Sequence, residues 1–186
     1  MGSTRSSEKL LEATLQLIAQ SGMDSLTLSQ VAERAGVSRA TAYREFGDKD
    51  GLISAVAQHE VQHMAHEVMS SVDAHGDPVS MVPATVLAAL RYLRHNAAFT
   101  YVRDHEPHWL LRAVLQIGET RMTVVQSMAA TVAPAIAATK YSRRFLPPLQ
   151  AAEIIVRTVL SHTLIERSTL TDEEVADAVT RAITID

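Results

Sequence analysis

A chain of 186 residues with 47% apolar side chains, mean hydropathy near zero and a net charge of −4 has ample material for a core. Length and composition allow one large domain or a small domain joined to a larger one, and argue for a soluble globular protein. There is no cysteine, which excludes disulfides and thiolate metal sites and suits a reducing cytoplasm, the location expected here. Aromatic residues number only four Tyr, three Phe and one Trp, which favours packed helices over a β-sandwich.

The residues before Glu8 hold no apolar stretch, so no signal peptide is expected. Helical periodicity then begins, with Leu10, Ala13, Thr14, Leu17 and Ile18 on one face of a first helix from Ser7 to Ser21. Gly22 ends it. Thr27 and Gln30 form a capping box that opens a second helix, and Gly36 stops it. Ser38 caps a third helix reaching Phe46. A fourth runs from Asp50 to Asp73, a fifth from Pro78 to His95, and Asn96 caps a short sixth. Glu106-Pro107 opens a seventh containing Trp109, and an Ala-rich eighth follows Gly118. The uncharged run Met122–Thr139 includes Gln126, Pro134 and three threonines, which reads as a buried helix and not a membrane span. A loop from Lys140 to Pro148 precedes a ninth helix to Glu166, and Thr171 with Glu174 caps a tenth. The expectation is an all-α chain of about nine or ten helices, with no strand.

Between the second and third helices the residue types become specific. Ala32 and Ala35 allow a following helix to cross closely, and Gly36 can take the left-handed conformation of a tight turn. On the third helix Ala42 and Phe46 share a face with Val37, which leaves Ala40, Thr41, Tyr43 and Arg44 outward and Arg39 at the N-terminal end. Such a face suits the major groove of duplex DNA: arginine chelates a guanine edge, and alanine or a threonine methyl meets a thymine methyl. Thr27, at a helix N-terminus, together with Tyr43 and Lys49, is placed for phosphate contact. Six basic against seven acidic side chains in the first 56 residues count against a broad basic surface, so the grip must come from a few placed groups.

The run from Leu26 to Lys49, with Ala35-Gly36-Val37-Ser38, then Thr41-x-Tyr43-x-x-Phe46, then Lys49, resembles the DNA-binding signature of TetR-family regulators. That resemblance implies phosphate roles for Thr27, Ser38, Tyr43 and Lys49 and groove-facing roles for Ser29, Arg39, Ala40, Thr41 and Arg44. Ala42 and Glu45 depart from the usual pattern, where a larger aliphatic and a His or aromatic are frequent. It further implies a helix-turn-helix domain over residues 1–50 and a larger effector-binding and dimerisation domain over 51–186. The partners are then an operator in double-stranded DNA, a second copy of the chain and a small hydrophobic effector, with no membrane partner.

The same resemblance places an effector cavity among the central helices, with His63, Tyr92, Phe99, Trp109 and Met122 as candidate lining residues. It also implies that the eighth and ninth helices pair across a two-fold axis. On the ninth, Ala152, Ile155, Val156, Val159 and Thr163 form the candidate interface, with burial inside the single chain as the alternative. A rival function resides in His59-Glu60-Val61-Gln62-His63, which matches the H-E-x-x-H pattern of zinc proteases. Pro78–Arg94 supplies no acid for a third ligand, so no metal, cofactor or catalytic residue is expected. A helical module that binds a protein instead of DNA is the other alternative.

Overall fold

The computed structural model describes residues 5–72, 77–115, 123–139, 142–165 and 167–185. Helix α1 (Arg5–Ser21) buries Leu10, Leu11, Ala13, Thr14 and Ile18. Thr14 is fully covered yet satisfied, because its hydroxyl donates to the Leu10 carbonyl at 2.6 Å. Helices α2 (Leu28–Ala35) and α3 (Arg39–Phe46) follow, and then α4 (Lys49–Ser71). Next come α5 (Pro78–His95), α6 (Ala97–His105), α7 (Pro107–Leu115) and α8 (Val124–Ala138). A single 3₁₀ turn, Ser142–Arg144, precedes α9 (Pro148–Leu164) and α10 (Asp172–Ile183). All ten expected helices are present; the ends expected at Asp73 and Glu166 and the break at Gly118 lie outside the described residues. Among the described residues there is no strand, only an isolated antiparallel bridge between Phe145 and Thr184. No helix is long and apolar enough to cross a membrane among those residues.

By packing, the chain divides into two compact units. The first joins residues 1–61 with Asn96–Leu111, and the second joins Gln62–His95 with Arg112–Asp186. A single cut at residue 50 does not express this arrangement, because a distant segment returns to the N-terminal helices. In the first unit α1 packs on α2, α3 and α6. Its core combines Leu10, Ile18, Val31 and Ala42 with Leu52 and Val56 of α4 and Ala98 and Val102 of α6. Each fully covered Leu, Ile or Val contributes about 1.5–3 kcal/mol relative to exposure. Without α6, then, the three N-terminal helices would present part of their apolar surface to water.

In the second unit α5 packs on α10, and α9 packs on α8, α10 and α5. Arg94 near the end of α5 forms a two-pronged ion pair with Asp172, the first residue of α10, and His162 of α9 also reaches Asp172 at 3.1 Å. This polar tie joins three helices that otherwise meet through apolar side chains. The Arg94 hydrogen bond holds the Asp172 carboxyl below the usual aspartate range, with His162 adding to the effect.

Candidate nucleic-acid interface

The turn between α2 and α3 is built by local chemistry. Gly36 adopts φ +66°, ψ +34°, and its N–H reaches the Ala32 and Glu33 carbonyls while the Val37 N–H bonds to Ala32 at 3.0 Å. At the start of α2, Thr27 accepts the Gln30 N–H at 3.3 Å, and Gln30 Oε1 accepts the Thr27 N–H at 3.0 Å. At the start of α3, Ser38 Oγ accepts the Thr41 N–H at 3.1 Å and lies 2.9 Å from Thr41 Oγ1. Both helix ends that flank the turn are therefore capped from within the chain.

Only Ala42 of α3 is buried, where it fits against the first unit's core, with Phe46 half-buried beside it. Ser38, Arg39, Ala40, Tyr43 and Arg44 are exposed, Thr41 is half-buried, and Thr27 lies in solvent at the head of α2. Tyr43 remains 52% exposed, a large aromatic that the chain only half covers. Ser29 is half-buried on α2. Arg44 meets Glu45 only at 3.9 Å, with its own side chain 71% exposed and that of Glu45 24% exposed. Such a surface pair adds little energy. Glu45 thus sits beside the arginine head without occupying it.

Lys49 also has a role within the chain. Its ammonium donates to the Asp24 carbonyl at 2.9 Å, which links the first residue of α4 to the turn between α1 and α2. Three residues important to that turn had no signal in the sequence, because they lie more than 80 positions away. Glu106 accepts the Met23 and Asp24 N–H groups at 2.6 and 3.1 Å, and Trp109 Nε1 donates to Asp24 Oδ1 at 2.9 Å. His108 Nε2 approaches the same oxygen at 3.3 Å.

The candidate effector residues are divided between the two compact units. His63 Nδ1 and Tyr92 Oη lie 2.9 Å apart in the second unit, whereas Phe99 and Trp109 belong to the first. Trp109 packs on the N-terminal core and bonds to Asp24. Met122 lies outside the described residues. A recess of about 450 Å³ opens elsewhere in the second unit, lined by Arg157, Ser161, His162, Ile165, Leu170 and Val175 among others, and by none of those five.

The candidate interface on α9 is covered within the single chain. Ala152, Ile155, Val156, Val159 and Thr163 are 0–6% exposed in the single chain, covered by the packing of α9 on α8, α10 and α5. A face already consumed inside the monomer is not available to a second copy. What α9 leaves outward is Leu149, Gln150, Arg157 and Ser161, with Ile165 just past its end, and α8 leaves Gln126, Ala130, Thr131, Pro134, Ala137 and Ala138.

The H-E-x-x-H segment lies on α4, where Glu60 accepts from Asn96 Nδ2 at 2.6 Å and meets His59 Nδ1 at 3.5 Å. No group of three or more potential metal ligands occurs among the described residues. Glu60 is thus engaged in helix joining, anchoring the residue that caps α6.

Comparison with known proteins agrees with this geometry. Residues 10–56 match the family model described as bacterial regulatory proteins, tetR family. The HTH-type transcriptional regulator BetI of Burkholderia ambifaria is 38% identical over 81 residues, 43% of this chain. The chain matches only 42% of the length of that relative. Among solved structures, the TetR family repressor AlkX from Dietzia sp. superposes with a TM-score of 0.73 at 22% identity, covering 98% of this chain and 95% of AlkX. The R. erythropolis transcriptional repressor QsdR does so with a TM-score of 0.67 at 19% identity, covering 96% and 95%. Residues 10–56 thus carry the N-terminal domain of the tetR family of bacterial regulatory proteins, and the fold along nearly the whole length is like that of these solved structures.

Proposed function

We propose that this protein is a DNA-binding transcriptional regulator, a homodimer that holds a near-palindromic operator and releases it when a small, mainly apolar ligand binds. The observation that carries the reading is the outward face of α3, where Arg39, Ala40, Tyr43 and Arg44 stand exposed on a helix anchored by Ala42. An exposed arginine with only a loose partner keeps its guanidinium fork for a guanine edge. Thr27, Ser38, Tyr43 and Lys49 act on phosphates, and Ser29 and Thr41 complete the groove contacts.

Two recognition helices about 34–36 Å apart fit successive major grooves. The second copy binds the outward surfaces of α8 and α9, where small residues on α8 permit close approach and Leu149 and Ile165 supply exposed apolar area. The ligand acts by differential affinity for the DNA-competent and released states. The large apolar side chains among the candidate lining residues, Phe99, Trp109 and Met122, support an apolar ligand. A duplex selected from random DNA provides the test. Arg44→Ala should weaken binding to it by about 1–3 kcal/mol and relax preference at one base position, with the thermal midpoint unchanged. Equal affinity of the variant and the wild type for that duplex counts against this placement of the groove face.

A further inference from the structure

Glu106 is a carboxylate only 8% exposed, placed where α6 ends and α7 begins. Burying a charge is costly unless donors surround it. Here the donors are two successive backbone N–H groups, those of Met23 and Asp24, so the turn between α1 and α2 forms a small anion cradle for a side chain from far along the chain. Gly22 is adapted to the arrangement twice over. Its φ of +80° suits glycine, and a Cβ there would overlap the Glu106 carboxylate.

The opposite side of the turn is held as well. Trp109 and His108 at the start of α7 reach the Asp24 carboxylate, while Lys49 at the head of α4 donates to the Asp24 carbonyl. Asp24 therefore connects the α6–α7 corner to the helix that follows the recognition helix. The placement of this corner in the chain gives it a further meaning. The backbone passes between the two compact units at three points: within α4, at His95–Asn96, and within α7 just after Leu111. Polar ties of the first unit stand beside each crossing. Glu60 with Asn96 flanks the first two, and the Glu106–Trp109 corner immediately precedes the third.

We propose that Glu106 and Trp109 are positioning residues for DNA binding, which hold the Met23-Asp24 turn and, through its carbonyl, Lys49 in the operator-competent arrangement. Neither residue touches DNA. The inference rests on the regulator reading above.

The test uses the full chain and a duplex that the wild type selects from random DNA, at a temperature where circular dichroism shows every variant folded. Glu106→Gln keeps one acceptor oxygen and turns an NH₂ toward the second N–H. Because hydrogen bonds to charged groups are among the stronger ones, operator affinity should fall about tenfold. Trp109→Phe keeps the ring and removes one N–H, and should lower affinity about threefold; it decides the matter if Glu106→Gln does not fold. In a Lys49→Met background the Glu106→Gln loss should largely vanish, a non-additivity that a merely structural role would not produce. Wild-type affinity in Glu106→Gln, or in Trp109→Phe if Glu106→Gln does not fold, overturns the proposal, and so does an undiminished loss in the Lys49→Met background. If no duplex is selected by the wild type, the regulator reading fails and takes this one with it. A duplex bound equally by all three proteins sinks the positioning role alone.

Discussion

Helix α3 buries one of its eight residues, Ala42, and turns arginines, a tyrosine and an alanine outward. Helix α9 buries seven of its 17 residues, in contact with α8, α10 and α5, and leaves a mixed surface behind. The first helix is held mainly by its ends, through the Ser38 cap and the left-handed Gly36, so its sides are free to carry chemistry. The second is held by its sides. A helix anchored by caps and one small contact can change its exposed residues at little cost to stability, whereas a helix anchored by a wide apolar face cannot.

That contrast breaks most readily at α9. Val159→Asp places a carboxylate where the side chain is 3% exposed and should cost about 3 kcal/mol or more, read as a large fall in the urea midpoint. A wild-type midpoint would mean that this face is not core, and the comparison would collapse. Next in size is the turn that anchors α3. Gly36→Val should cost about 2 kcal/mol, since a β-branched residue resists positive φ. No atom lies within 4 Å of the position where its Cβ would stand, so the penalty is one of backbone conformation. Gly36→Asn, which tolerates that conformation, should recover part of the stability; no recovery would point to packing instead.

The smallest effect sharpens the account of how α9 is held. Asp172 has its folded pKa lowered by Arg94, so its contribution to stability is present above the unfolded value and is lost as pH falls through the folded one. Wild type should therefore exceed Asp172→Asn in stability at neutral pH, and the gap should close below about pH 4. Parallel stability curves for the two proteins down to pH 2 would show that the tie contributes no pH dependence.

Helix number and type were legible because periodicity, glycine stops and polar caps are local signals. The Thr27–Gln30, Ser38, Asn96 and Thr171–Glu174 caps all occur where side-chain oxygen meets the third N–H of a helix. The outward face of α3 was legible for the same reason, since eight residues suffice to define it. The packing partners of the large apolar residues were not. Tyr92, Phe99 and Trp109 are all large and partly apolar, and composition does not say that Trp109 bonds to Asp24 and packs on the N-terminal core. Ile155, Val156 and Val159 form an apolar stripe whether the partner is α8 of the same chain or another copy.

The sequence by itself determined ten helices, the caps that bound them and a turn-linked pair presenting arginines, because each depends on residues a few positions apart. Tertiary structure alone decided which apolar faces cover one another, and that α6 completes the core of the N-terminal unit. It alone brought Glu106 to the amides of Met23 and Asp24, 82 or more positions away. Burial is non-directional and one apolar stripe accepts many partners, so only the folded chain selects among them.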